Sequence, residues 1–85
     1  MQSVSVKNLS EKAVSIVLDD ERIFSDILPE ASTFFCPTRV GSANIVVLDS
    51  REKPLHDLWV SIAPESRNIL YIFDHKAVFV TLSHF

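Results

Sequence analysis

The sequence predicts an all-β domain, and three observations carry that reading. Apolar residues recur mostly with period two, the spacing of a strand with one buried face. Turn formers interrupt these runs at intervals of roughly 8 to 12 residues, the rhythm of a β-sandwich or barrel. The composition is dense in large apolar groups: 47% of the 85 residues are hydrophobic, including six Phe, one Tyr and one Trp. A chain this short buries only about 60–65% of the surface its unfolded form exposes, so a folded domain of this size needs such a core. Residues 1–85 read as one domain, without internal linker, repeat or low-complexity segment.

The strands follow in order. "VSV" places Val4 and Val6 on one face against Ser3, Ser5 and Lys7. "AVSIVLD" groups Val14, Ile16 and Leu18, and "ANIVVLD" sets Ile45 and Val47 opposite Val46 and Leu48. "LHDLWVSIA" puts Leu58, Val60 and Ile62 together. "NILYIFD" sets Leu70 and Ile72 opposite Ile69, Tyr71 and Phe73, and "AVFVTLS" sets Val78, Val80 and Leu82 opposite Ala77, Phe79 and Thr81. "DDERIFSDIL" is ambiguous. Ile23, Phe24, Ile27 and Leu28 also suit one face of a helix, whereas a strand reading makes "DDE" a hairpin turn and "RIFSDI" the returning strand.

Between them, "CPTRVGSANIVV" reads as a strand end, a turn and a strand start. Pro37 lacks the N–H that ladder pairing needs. Gly41, the only glycine of the chain, can take the positive φ that a turn requires. Ser42 and Asn44 read as polar turn residues beside it.

Taken together these pieces resemble the bacterial domain-of-unknown-function family 4397. Val14 to Leu18 match its second strand, Asp19 and Asp20 its turn, "STFFCPTRVG" its aromatic phrase and glycine turn, and "RNILYIF" its late strand. The family's Ala-Ser-Pro-rich first loop is replaced here by "LSEKA". The resemblance covers nearly the whole chain. It implies a small antiparallel immunoglobulin-like β-sandwich of about seven strands and favours strand over helix for "DDERIFSDIL". It brings no activity and no site residues.

Several functions are disfavoured by composition. The eight basic residues are scattered singly and the net charge is −3, the wrong sign and pattern for nucleic acid. The longest apolar runs are four or five residues, well short of a membrane span. One glycine cannot build a P-loop or a dinucleotide fingerprint, and no serine sits in a G-x-S-x-G elbow. "NLS" at Asn8–Ser10 matches a glycosylation sequon, but the N-terminus shows no signal-peptide pattern, and the lone cysteine cannot form an internal disulfide. The expected location is cytoplasmic, or cell-surface or spore-associated if a leader was trimmed.

Four constellations carry residue types capable of chemistry. Cys36 lies among Phe34, Phe35 and Pro37, which supply neither base nor positive potential, so it reads as a small buried hydrophobe at a strand end. His56–Asp57, Asp74–His75 and His84 offer metal-ligating groups, but adjacent strand residues point to opposite faces. The cluster Asp19, Asp20, Glu21 and Asp26 reads as a solvated turn, since a calcium loop wants more oxygens and a glycine. Paired carboxylates for glycoside hydrolysis would need a cleft. No catalytic residue, cofactor or metal is expected, and the chain is not expected to be an enzyme.

The aromatics stand out. Trp59, Tyr71, Phe73 and Phe79 recur at strand spacing opposite the face of Leu58, Leu70 and Val80, so both faces of the C-terminal strands are apolar. A two-layer sandwich buries one face per sheet. Either register breaks bring some rings into the core, or they form an interaction surface. The expected function is a non-catalytic interaction or structural module, self-associating as a homo-oligomer or docking a protein partner. The alternative is a small module that binds carbohydrate or metal.

Overall fold

A computed structural model describes residues 1–83. The strands are β1 (Ser3–Asn8), β2 (Val14–Leu18), β3 (Glu21–Ile27), β4 (Ser32–Phe35), β5 (Gly41–Leu48), β6 (Pro54–Ile62), β7 (Arg67–Ile72) and β8 (Ala77–Ser83). They form two four-stranded sheets, β4-β1-β7-β8 and β3-β2-β5-β6. These are called the first and second sheet below. The all-β sandwich expected from the period-two runs is present, and "DDERIFSDIL" is strand rather than helix.

Two corrections apply. There are eight strands rather than about seven, because "STFF" forms the four-residue β4. The turn after it marks a strand end in the sequence, but four residues are too few for alternation to show its extent or its buried face. The sheets are also not wholly antiparallel: β1 runs parallel to β7, with Ser3 opposite Arg67 and Asn8 opposite Ile72. Period two marks which face is buried and is silent on strand direction.

The core follows from the alternation. Val4 and Val6 of β1 and Leu70 and Ile72 of β7 face Val14 and Ile16 of β2, Ala43, Ile45 and Val47 of β5, and Val60 and Ile62 of β6. Burying each of the larger side chains contributes about 1.5–3 kcal/mol before chain entropy is counted. The flanks of the sandwich are closed differently. On one side Phe24 of β3 meets Phe35 of β4 edge-on, with ring centroids 5.7 Å apart at 70°. On the other, His56 Nε2 of β6 lies 2.9 Å from the Phe73 carbonyl oxygen just past β7.

Polar groups enter the interior only with partners. Asn8 is fully buried. Its Nδ2 donates to the carbonyls of Lys12 (2.8 Å) and Ile27 (2.9 Å), and its Oδ1 accepts from the N–H (3.0 Å) and hydroxyl (2.6 Å) of Ser10. One side chain thus ties the end of β1 in the first sheet to the end of β3 in the second, and the sequon there is structural. Asn68 plays a similar part within the first sheet, donating to Ser3 O and Ser66 Oγ and accepting from Thr81 Oγ1. Among the described residues no buried side-chain nitrogen or oxygen lacks a partner.

The turns use acidic residues where glycine is usual. Asp19 and Asp20 have φ of 46° and 66°, so the two-residue β2–β3 hairpin has both central residues left-handed, as a type I′ turn requires. Glu30 and Glu65, each following a proline, have φ of 68° and 59° in turns closed by Ala31 N–H to Leu28 O and Ser66 N–H to Ala63 O. Asp26 and Glu52 complete the set of positive-φ residues other than glycine among the described residues. Gly41 has φ +98° and opens β5, while Ser42 and Asn44, expected in the turn, lie inside that strand. Pro37 stands two residues past the end of β4 and accepts a hydrogen bond at its carbonyl from Gln2 Nε2 (2.6 Å).

Candidate functional site

The strand register decides which aromatics share a surface. Phe34 lies opposite Ser5, Ser5 opposite Ile69, and Ile69 opposite Val80, giving one row across all four strands of the first sheet. The next row runs Ser32, Lys7, Tyr71, Val78. Their neighbours in sequence, such as Val4, Val6, Leu70 and Ile72, fill the core, so these rows point away from it. Phe34 and Leu82 are 66% and 59% exposed. The Tyr71 and Phe73 rings stack at 6.4 Å and 24°, and Lys76 Nζ sits 5.6 Å from the Phe73 centroid, within cation–π range. The outward face of this sheet is apolar along β7 and β8 and at Phe34, with serines on β1 and β4 and cations among them.

The four aromatics expected to share that face are divided. Tyr71 and Phe73 are on it. Phe79 is opposite the buried Leu70 and packs against the core, because residues paired across a ladder share a face of the sheet. Val78 and Val80 point outward in its place. Trp59 belongs to β6 in the other sheet, opposite Asn44, and is 72% exposed. Phe34 and Val80 were missed as members of the face, while Ile69 was placed with Tyr71 and Phe73. Placing them together needs the strand order and register, which no single segment encodes.

The "FCPTRVG" stretch forms the lip of a cleft at one end of the sandwich, with a volume of about 420 Å³. Leu18, Ile23, Phe35 and Ile62 give it apolar walls, and Asp19, Glu21 and Arg39 bring charge. Asp19 is partly engaged already, since its Oδ1 accepts the Asn44 N–H at 2.9 Å. Cys36 also lines the cleft and is exposed, a correction to its expected burial. The strand ends at Phe35, which takes the inward position, and leaves Cys36 on the connection.

The remaining polar groups act locally. Asp49 accepts the backbone N–H groups of Lys53 and Arg51 at 2.9 and 2.8 Å, and these bonds, the Lys53 one foremost, hold its carboxyl below the usual range. The hydrogen bond to the Glu52 carboxylate at 2.6 Å holds the Arg22 guanidinium above its ordinary value. Both are surface locks on turns and add little stability. Among the described residues no three His, Cys, Asp or Glu side chains converge as a metal site; His84 lies outside the described residues. Nor is any helix there long and apolar enough to cross a membrane.

No family model matches the chain, and no curated protein matches it. Among solved structures it is similar to the N-terminal domain of AlgF from P. aeruginosa, at a TM-score of 0.78 and 20% identity, over 95% of this chain and 92% of that one. At that identity the likeness is one of fold: this chain shares the β architecture of the AlgF N-terminal domain along nearly its whole length.

Proposed function

We propose that the chain is a non-catalytic interaction module that docks a protein partner through the outward face of its first sheet. The observation that carries this is the outward row Phe34, Ser5, Ile69 and Val80, apolar at three of its four positions and continued by Tyr71, Val78 and Phe73. A sandwich has no internal use for apolar residues on an outer face, and a contiguous patch of this kind marks an interaction surface. Charge narrows the partner. The face carries Lys7 and Arg67, with Lys76 beside Phe73, and none of its outward strand positions is a carboxylate. This holds although the chain as a whole is −3. The complementary surface is apolar with a rim of carboxylates, and pairing the two steers association as well as holding it.

The test uses a partner recovered on the immobilised chain, purified, and titrated calorimetrically against wild type and a Phe34→Ser/Tyr71→Ser variant with unchanged circular dichroism. Affinity is expected to fall by about tenfold or more, with weaker wild-type binding at high salt. Equal affinity for both proteins would overturn the reading.

A second reading rests on the cleft. Its volume of about 420 Å³ lies within the range of ligand pockets. The carboxylates and guanidinium at its rim suit the hydroxyls of a small carbohydrate, and Phe35 suits the apolar side of a sugar ring. A ligand that binds only the folded state raises the melting midpoint, by about 10 °C or more at a hundredfold excess over Kd. A glycan panel run beside zinc and calcium checks this; no shift with any sugar removes the carbohydrate reading.

A further inference from the structure

The sheets end in four edge strands, β4 and β8 in the first and β3 and β6 in the second. An open edge presents unpaired N–H and C=O groups and templates pairing with another chain. Soluble proteins therefore blunt their edges with shortness, charge, proline or bulges. Three edges here are blunted. β4 has four residues. β3 carries Glu21, Arg22 and Asp26, and its pairing with β2 shifts register twice. β6 opens on Pro54, carries His56 and Asp57, and has a register shift near its start. β8 has none of these devices along most of its length. Its seven residues, Ala77–Ser83, include no charge and no proline, and its ladder with β7 is regular from Ile72 to Asn68.

We propose that β8 is a pairing edge, and that its occupant is β8 of a second copy, joined antiparallel so that two four-stranded sheets become one of eight. Charge favours the chain's own strand. Self-pairing of an uncharged strand sets no like charges opposite each other. The nearest charge, Lys76, lies outside β8 at its start, so the two copies of it fall at opposite ends of an antiparallel ladder. Val78, Phe79, Val80 and Thr81 are residue types that pair well across strands. A twofold pairing uses the same edge on both copies and closes on itself, and the other edges do not extend it, so assembly stops at the dimer. The inference concerns the edge of the sheet and stands without the docking role of its face.

The test combines sedimentation velocity over a hundredfold concentration range with amide hydrogen exchange at both ends of that range. The expected result is a dimer at the high end. In that dimer, alternate amides of Ala77–Ser83, those turned away from β7, gain protection on the order of tenfold or more. Val80→Lys sets ammonium groups near each other across the joint and is expected to return the protein to monomer. Phe34→Ser, on the far strand of the same sheet, leaves the dimer intact while weakening the face. A monomer at every concentration overturns the proposal. So does a dimer whose β8 amides stay unprotected, or one lost with Phe34→Ser and kept with Val80→Lys. Exchange is read on the unmodified chain, so the proposal remains falsifiable if the lysine variant fails to fold.

Discussion

Asn8→Leu is expected to lower the melting midpoint by roughly 10–20 °C, corresponding to about 3 kcal/mol at this chain length. Leucine keeps the branching and number of heavy atoms of asparagine, so the loss is mainly of hydrogen bonds, with the bulk of two methyl groups in a buried site adding to it. Four bonds disappear together: two given to the carbonyls of Lys12 and Ile27, and two accepted from Ser10. The Ile27 bond lies in the interior, where a group left without a partner costs its full desolvation. Asn8→Asp makes a sharper comparison. An ionised carboxylate still accepts from Ser10 but has no hydrogen to give either carbonyl, and it sets negative charge against their oxygens. It is expected to lose at least as much as Leu. Thermal unfolding followed by circular dichroism reads both, and a midpoint within a few degrees of wild type for Asn8→Leu would show that the network adds little.

Gly41→Val is expected to cost about 1–3 kcal/mol, or roughly 5–20 °C in midpoint. Nothing lies within 4 Å of where a Cβ would be at Gly41, so no clash contributes. The cost is the backbone's own, because φ of +98° is a conformation that a β-branched residue resists. Gly41 lies opposite Ile62 at the end of the β5–β6 ladder. Relief by rotating to negative φ would have to unpair that end and disturb the lip of the cleft. A normal midpoint for the variant would mean that this end of β5 rearranges freely.

The parts of the fold that were legible share one property: they follow from the local alternation of side chains. In β5 and β7 apolar residues fill both faces, so alternation separated two sets without saying which is buried. The inward positions of β1 could be named from the sequence, because Val4 and Val6 alternate with Ser3, Ser5 and Lys7. β4 could not, because four residues hold too little alternation. Turn geometry was legible at Gly41 and at the Asp19–Asp20 hairpin. It was hidden at Glu30, Glu52 and Glu65, since glutamate is not a residue that announces a left-handed turn. The surface was the least legible part. Which aromatics share a face depends on strand order and register, and these set Trp59 and Tyr71 on different sheets. They also turn Phe79 inward beside Leu70. The cleft depends on how the ends of two sheets meet, which no single segment encodes.

The parallel pairing of β1 with β7 bears on how the chain reaches this structure. In the second sheet β2 and β3 are joined by a two-residue turn, and β5 and β6 are consecutive in the chain. Those contacts close short loops and can form early. The first sheet depends on meetings across much longer loops: the Asn68 side chain bonds to the Ser3 carbonyl across 65 positions. Loop closure must precede the reward of such contacts, which places the chain among the slower folders for its size. During synthesis β1 is made before the other strands of its sheet; β4 can pair one of its edges, but the other edge stays open until β7 has been made. Over that interval a strand that ends in the middle of its sheet has one open edge, and the half-made protein is exposed to aggregation there.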